Sequence, residues 1–202
     1  MQLIGMLDSP YVRRVAISLR LLNIPFEHRP VSVFSTFEQF RQINPVVKAP
    51  TLICDDGVVL MDSTLILDYV ESIAGRSLMP TGRDSRQHAL RLLGLALAAC
   101  EKTVQIVYEC NLRPPEKQHA WWVTRVQSQL VAAYGALEAE LRATRLNADE
   151  RNIDQAGVTT AVAWRFTQTM LPAFIAASDH PMLASYSADA ERLLAFQATP
   201  PV

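Results

Sequence analysis

The stretch from Asn44 to Ser63, NPVVKAPTLICDDGVVLMDS, constrains this chain more than any other. Pro45 and Pro50 bias Asn44 and Ala49 away from helix. Thr51-Leu52-Ile53-Cys54 and Val58-Val59-Leu60-Met61 are short apolar runs separated by Asp55-Asp56-Gly57. Asp-Gly tolerates the positive φ of a tight turn, so these runs predict a β-hairpin. Asp62-Ser63 then precedes Leu65, Ile66, Tyr69, Val70 and Ile73, whose spacing predicts one face of a helix. A hairpin is therefore expected to end on a helix N-terminus that carries a carboxylate and a hydroxyl. Unpaired N–H groups and the helix dipole favour a bound carboxylate there. The same two residues also serve as plain helix caps, and spacing alone leaves both readings open.

Upstream, Leu3-Ile4-Gly5-Met6-Leu7 predicts a buried strand, bounded by Asp8-Ser9-Pro10. Pro10 suits the first helical position, which makes Ser9 a natural N-cap. Val12, Val15, Leu19 and Leu22 line one face of the helix that follows. Arg13, Arg14 and Arg20 lie off that face, and the Arg13-Arg14 pair is expected on its solvated side. Asn23-Ile24-Pro25 stops this helix, and Phe26 to Val31 predicts a second strand. Strand, helix and strand at this length imply a right-handed parallel crossover. Adding the hairpin and its helix gives βαβ followed by ββα, the thioredoxin-like order. Phe37 and Phe40 are expected to anchor a short helix in the connection between Ser32 and Ile43.

Gly75 suits the C′ position of the helix after Ser63. Beyond it the strand pattern does not resume, so two domains are expected, residues 1–76 and 84–202, the second all-helical. Leu90, Leu93, Leu97, Cys100, Val104 and Val107 form a seam, and Leu92, Leu95, Ala96 and Ala99 make further sides apolar. Such a helix should pack against more than one neighbour. Asn111 to Pro115 breaks it, and Trp122, Val126, Leu130, Ala133, Leu137 and Leu141 mark a second long helix. Asp154 is a good cap for a third, which Pro172 ends or kinks. His180-Pro181 opens a last helical region that closes at Phe196-Gln197-Ala198-Thr199-Pro200-Pro201.

Composition narrows the class. With 202 residues, 50% hydrophobic, and a formal net charge of −1, the chain can bury a sizeable core. A near-neutral balance argues for neither nucleic acid nor a membrane surface as partner. Cys54, Cys100 and Cys110 form no CxxC, and the four His are dispersed, so no metal site is expected. An odd cysteine count without disulfide spacing suits a reducing compartment. Met1-Gln2 leads straight into an apolar strand without a charged n-region, predicting no signal peptide and a cytoplasmic protein.

The run NPVVKAPTLICDDGVVLMDSTLILDYV resembles the N-terminal domain of cytosolic glutathione transferases, and the resemblance extends to the helical region and the Phe-Gln-Ala-Thr-Pro ending. It implies glutathione as co-substrate and no metal. It implies a cis bond at Ala49-Pro50, with Ala49 offering its N–H and C=O to the cysteine part of glutathione. Lys48 would face the glycyl carboxylate, and Asp62 and Ser63 would hold the γ-glutamyl group. Val47 departs from the pattern, since many relatives carry Gly before the Lys. Relatives also place an Asp three residues after the cap of the third helix of the second domain, where this chain has Gly157.

Asp8-Ser9-Pro10-Tyr11-Val12-Arg13-Arg14-Val15 is similar to the Ser-Pro-aromatic pattern of serine-type, bacterial members. A free thiol has a pKa of about 8.5, so only a small fraction is ionised at neutral pH. A hydroxyl donating to the sulfur at a positive helix N-terminus stabilises the thiolate, and Ser9 is placed for that catalytic and glutathione-binding role. Serving only as N-cap is the plainer role for Ser9. Tyr11, Tyr108 and Trp164 are candidates for an acceptor pocket between the domains, with core packing as the alternative for the latter two. The resemblance implies a homodimeric detoxifying transferase that attacks a small hydrophobic electrophile, with isomerisation, dehalogenation and peroxide reduction as related chemistries. The alternative is a glutathione-binding or protein-interaction module with little catalysis, similar to stringent-starvation proteins.

Overall fold

A computed structural model, described for residues 1–201, resolves the chain into two compact units. One holds Met1–Leu78 together with the C-terminal segment from Arg192; the other holds Met79–Glu191. The first boundary falls inside the expected linker, whereas the last residues do not stay with the helical region. Buried Arg13 is one reason: its Nε donates to the Thr199 carbonyl at 2.8 Å, and its guanidinium lies 5.6 Å from the Phe196 ring centroid.

The first unit runs β1 (Gln2–Ile4), α1 (Pro10–Leu21), β2 (Glu27–Arg29), α2 (Phe37–Ile43), β3 (Thr51–Ile53), β4 (Val59–Met61) and α3 (Ser63–Ala74). The sheet order is β2-β1-β3-β4, with β1 and β2 parallel and the other neighbours antiparallel. This is the thioredoxin-like arrangement. Strands are shorter than their apolar runs. The expected strand to Leu7 stops at Ile4, because Gly5 turns to φ 138°. A Cβ on Gly5 would lie 2.6 Å from Val12 Cγ2, so only glycine lets α1 approach the strand end this closely. Leu3, Val12, Val15, Leu19, Leu52, Ile66 and Val70 form the core on one side of the sheet, and Ile4, Val31 and Phe40 the smaller one. Full burial of each such side chain is worth about 1.5–3 kcal/mol.

The structure departs from the expected helix faces in α3 and α1. Leu65 and Ile73 are exposed, at 65% and 49%; the buried face of α3 is Ile66, Leu67 and Val70. Arg13 and Arg14 are not solvated but 2% and 1% exposed. A long side chain on a helix flank can reach acceptors under the neighbouring element, which periodicity cannot register. Gly75 ends α3 at φ 64°, as expected.

In the second unit, α4 (Arg83–Asn111) packs against both α5 (Ala120–Ala143) and α6 (Gln155–Met170), and α7 (Pro181–Ala190) closes the bundle; α8 (Leu194–Gln197) belongs to the first unit. The buried stripe of α4 includes Ala89, Leu92, Leu93, Ala96, Cys100, Thr103 and Val107. Leu90 of the expected seam is half exposed, as is much of Trp122 on α5. Small residues set the stripe because two neighbours approach α4 at once. Asp154 caps α6 by accepting the Gly157 N–H at 2.7 Å. Gly157 stands where relatives carry Asp for a packing reason: a Cβ there would run into the Tyr186 hydroxyl. At the start of α7, Glu138 of α5 substitutes for a local cap, accepting the N–H groups of Met182 and Leu183 at 3.1 and 3.0 Å.

Candidate functional site

Sheet register assembles the site. Ile4 pairs with Thr51, and Thr51 with Met61, so these three residues lie side by side at one end of the sheet. From that end the chain leaves β1 towards Ser9 and α1, enters β3 from Ala49-Pro50, and leaves β4 into Asp62-Ser63. The expected clamp and the expected catalytic serine thus share one end of the first unit. Ala49-Pro50 is cis.

Asn44 shapes the loop before it. Buried Asn44 donates from Nδ2 to Thr51 Oγ1 at 2.8 Å and accepts the Val46 N–H at 3.0 Å, while Thr51 Oγ1 donates to the Lys48 carbonyl at 2.8 Å. Side chain and strand therefore fix the backbone that presents Lys48 and Ala49. Val47 takes φ 52° in this loop, a left-handed conformation that a β-branched residue rarely adopts. The Val47 side chain packs against the Ile4, Val31 and Phe40 cluster, which offsets that strain. Asn44→Ala is expected to lower stability by about 1–2 kcal/mol, because it strips buried hydrogen bonds without removing the Thr51 hydroxyl. Urea denaturation of the variant measures it; unchanged stability would show that the loop holds without Asn44.

Asp62 is the N-cap of α3 at φ 71° and ψ 123°. That is a sparsely populated conformation, costing about 1–3 kcal/mol. Asp62 Oδ1 accepts the Thr64 N–H at 2.9 Å, and Oδ2 lies 3.8 Å from Lys48 Nζ. Both partners of that ion pair are about half exposed, so it contributes little to stability and leaves both groups accessible. Ser63 is buried behind the cap, and Arg14 Nη1 donates to Ser63 Oγ at 3.0 Å and to Thr64 Oγ1 at 3.2 Å.

Ser9 occupies the N-cap position of α1, with its carbonyl accepting the Arg13 N–H at 2.9 Å, yet its side chain makes no capping hydrogen bond. The expectation of Ser9 as cap holds for the backbone and not for the hydroxyl. Half-buried Tyr11 lies in the first turn of the same helix. The other two pocket candidates belong to the second unit. Tyr108 on α4 is 44% exposed, and partial burial raises its phenol above the ordinary value. Trp164 is 4% exposed and packs edge-on against Tyr134 at 5.2 Å, with His180 beside it at 5.6 Å. Tyr134 itself donates to the Ala163 carbonyl at 2.9 Å and shares a hydrogen bond with Thr167, so Trp164 sits inside the packed core of the second unit. Asn44 as a loop anchor and Arg14 as a partner of Ser63 are not evident from the sequence. Asn44 had a faint signal in its place before Pro45; Arg14 had none.

Among the described residues, no group of three or more His, Cys, Asp and Glu is placed to hold a metal, and no helix is long and apolar enough to cross a membrane.

The candidate site thus lies at the end of a thioredoxin-like unit where the loop through Lys48 and Ala49-Pro50 meets the acid-capped start of α3. Residues 3–78 match the family model described as "Glutathione S-transferase, N-terminal domain". Among solved structures, it is similar to a glutathione transferase family member from Pseudomonas fluorescens Pf-5 with bound S-(propanoic acid)-glutathione. That likeness is 29% identity over 100% of this chain and 97% of the other, with a TM-score of 0.83. The uncharacterized GST-like protein YibF of Escherichia coli (strain K12) is 24% identical over 181 residues, 89% of each chain. A probable maleylacetoacetate isomerase of Caenorhabditis elegans is 34% identical over 89 residues, 43% of this chain and 41% of that one.

Proposed function

We propose that this chain is a serine-type glutathione transferase, in which Ser9 stabilises the glutathione thiolate for attack on a small hydrophobic electrophile. The observation that carries the reading is the free Ser9 hydroxyl: it stands at the N-terminus of α1 without a capping bond, at the sheet end shared with Ala49-Pro50 and Asp62-Ser63. Glutathione fits these groups chemically. The Ala49 N–H and C=O suit an extended cysteinyl backbone. Lys48 suits the glycyl carboxylate, the Asp62 carboxylate suits the γ-glutamyl ammonium, and the Ser63 hydroxyl suits the γ-glutamyl carboxylate. A hydroxyl donor and the positive helix end lower a thiol pKa without needing a base. Relatives named as isomerases keep isomerisation within this reading, since a thiolate that adds reversibly to an activated double bond uses the same groups.

A homodimer belongs to the same reading, with exposed Leu90 on α4 as apolar surface for it. Calorimetric titration tests the whole. Glutathione should bind in the micromolar to millimolar range, and Asp62→Ala should weaken it about tenfold or more by removing a charge-assisted contact. Unchanged affinity in Asp62→Ala would reassign the acid as a helix cap alone.

A further inference from the structure

Arg14 is a buried cation on α1 that reaches across to the first residues of α3. A guanidinium has only donors, and a hydroxyl has one hydrogen and two lone pairs. At 3.0 Å from Arg14 Nη1, Ser63 Oγ is therefore the acceptor, and the Ser63 hydrogen must point elsewhere. The Ser63 N–H, at the first helical position, has no acceptor within its helix. Thr64 is held from the same Arg14 nitrogen, and its N–H is already taken by Asp62. Behind Ser63 thus sits a positive charge only 1% exposed, which solvent screens poorly.

We propose that Arg14 is a positioning residue: by donating to the oxygen of Ser63 it turns the hydroxyl hydrogen outward, beside the Ser63 N–H, to receive the α-carboxylate of a γ-glutamyl group. This rests on glutathione being the ligand. Arg14 touches no ligand atom in this scheme. It acts by fixing a rotor that would otherwise be free to donate to a backbone carbonyl. A merely structural Arg14 would pin α1 to α3 and affect every ligand of the site alike.

The test compares glutathione with γ-aminobutyryl-cysteinyl-glycine, which lacks only that carboxylate, by calorimetry on the full chain. The parent should prefer glutathione. Arg14→Met should weaken glutathione about tenfold and leave the analogue unchanged, so that the preference collapses. In a Ser63→Ala background the same change should cost little more, because the hydroxyl it orients is gone. Equal losses for both peptides, or an equal Arg14 effect with and without the Ser63 hydroxyl, overturn the proposal. Should Arg14→Met fail to fold, Arg14→Lys decides. It keeps the charge without the guanidinium geometry, and is expected to lose part of the preference for glutathione alone; an equal change for both peptides overturns the proposal. A parent that binds neither peptide removes the glutathione reading and this proposal together. A preference that survives in Arg14→Met removes this proposal only.

Discussion

Ser9→Ala is expected to raise the pKa of bound glutathione by about one to two units while leaving its affinity and the fold nearly unchanged. The shift follows from removing one hydrogen bond to a charged sulfur, worth about 1.5–3 kcal/mol. Rates with a reactive aryl halide should fall about ten- to a hundredfold at neutral pH and recover as the pH rises. An N-cap serine usually contributes about 1 kcal/mol of stability, which would blur such an experiment. Here the side chain makes no capping bond, so the melting temperature should hardly move. Chemistry and folding therefore separate in a single variant. An unshifted thiolate absorbance titration would strip Ser9 of the role and pass it to Tyr11 or to the N–H groups opening α1.

Glu138→Ala should cost the helical unit about 2–4 kcal/mol, because it leaves two N–H groups at the start of α7 without their acceptor. Three groups meet this buried carboxylate: the N–H of Met182, the N–H of Leu183 and Arg142 Nε at 3.1 Å. Burial alone would push the Glu138 pKa up, but those donors outweigh it and hold it below the ordinary value of 4.5. A carboxyl with a depressed folded pKa adds stability that is fully present above the unfolded value and is lost as pH falls through the folded one. The advantage of the parent over Glu138→Gln should therefore be full at neutral pH and shrink in acid below 4.5. Urea denaturation at both pH values checks it; a gap that widens in acid would mean that Glu138 is held by something other than its charge.

Much of the site was legible because its signals are local. Pro50, Asp56-Gly57, Asp62-Ser63 and Ser9-Pro10 each act through the backbone of their own few residues, by fixing φ, permitting a turn or starting a helix. Hairpin, helix start and first crossover all follow from them, and the structure has each one. Helix phase was less legible. An apolar spacing allows several faces, and Leu65, Ile73 and Leu90 fit a stripe on paper while the neighbours that cover α3 and α4 select other residues.

What the sequence by itself determined is the order of elements, the thioredoxin-like class, and the residues at the turn and caps that make up the candidate clamp. Only the tertiary structure decided that Arg13 and Arg14 are buried, since their acceptors Thr199 and Ser63 lie 186 and 49 residues away. It likewise decided that Gly157 makes room for Tyr186, that Glu138 caps a helix other than its own, and that the final segment joins the first unit. The physical reason is common to all of these. Backbone preference is a property of neighbours along the chain, whereas the burial of a charge or a hydroxyl is set by whichever partner the fold brings to it.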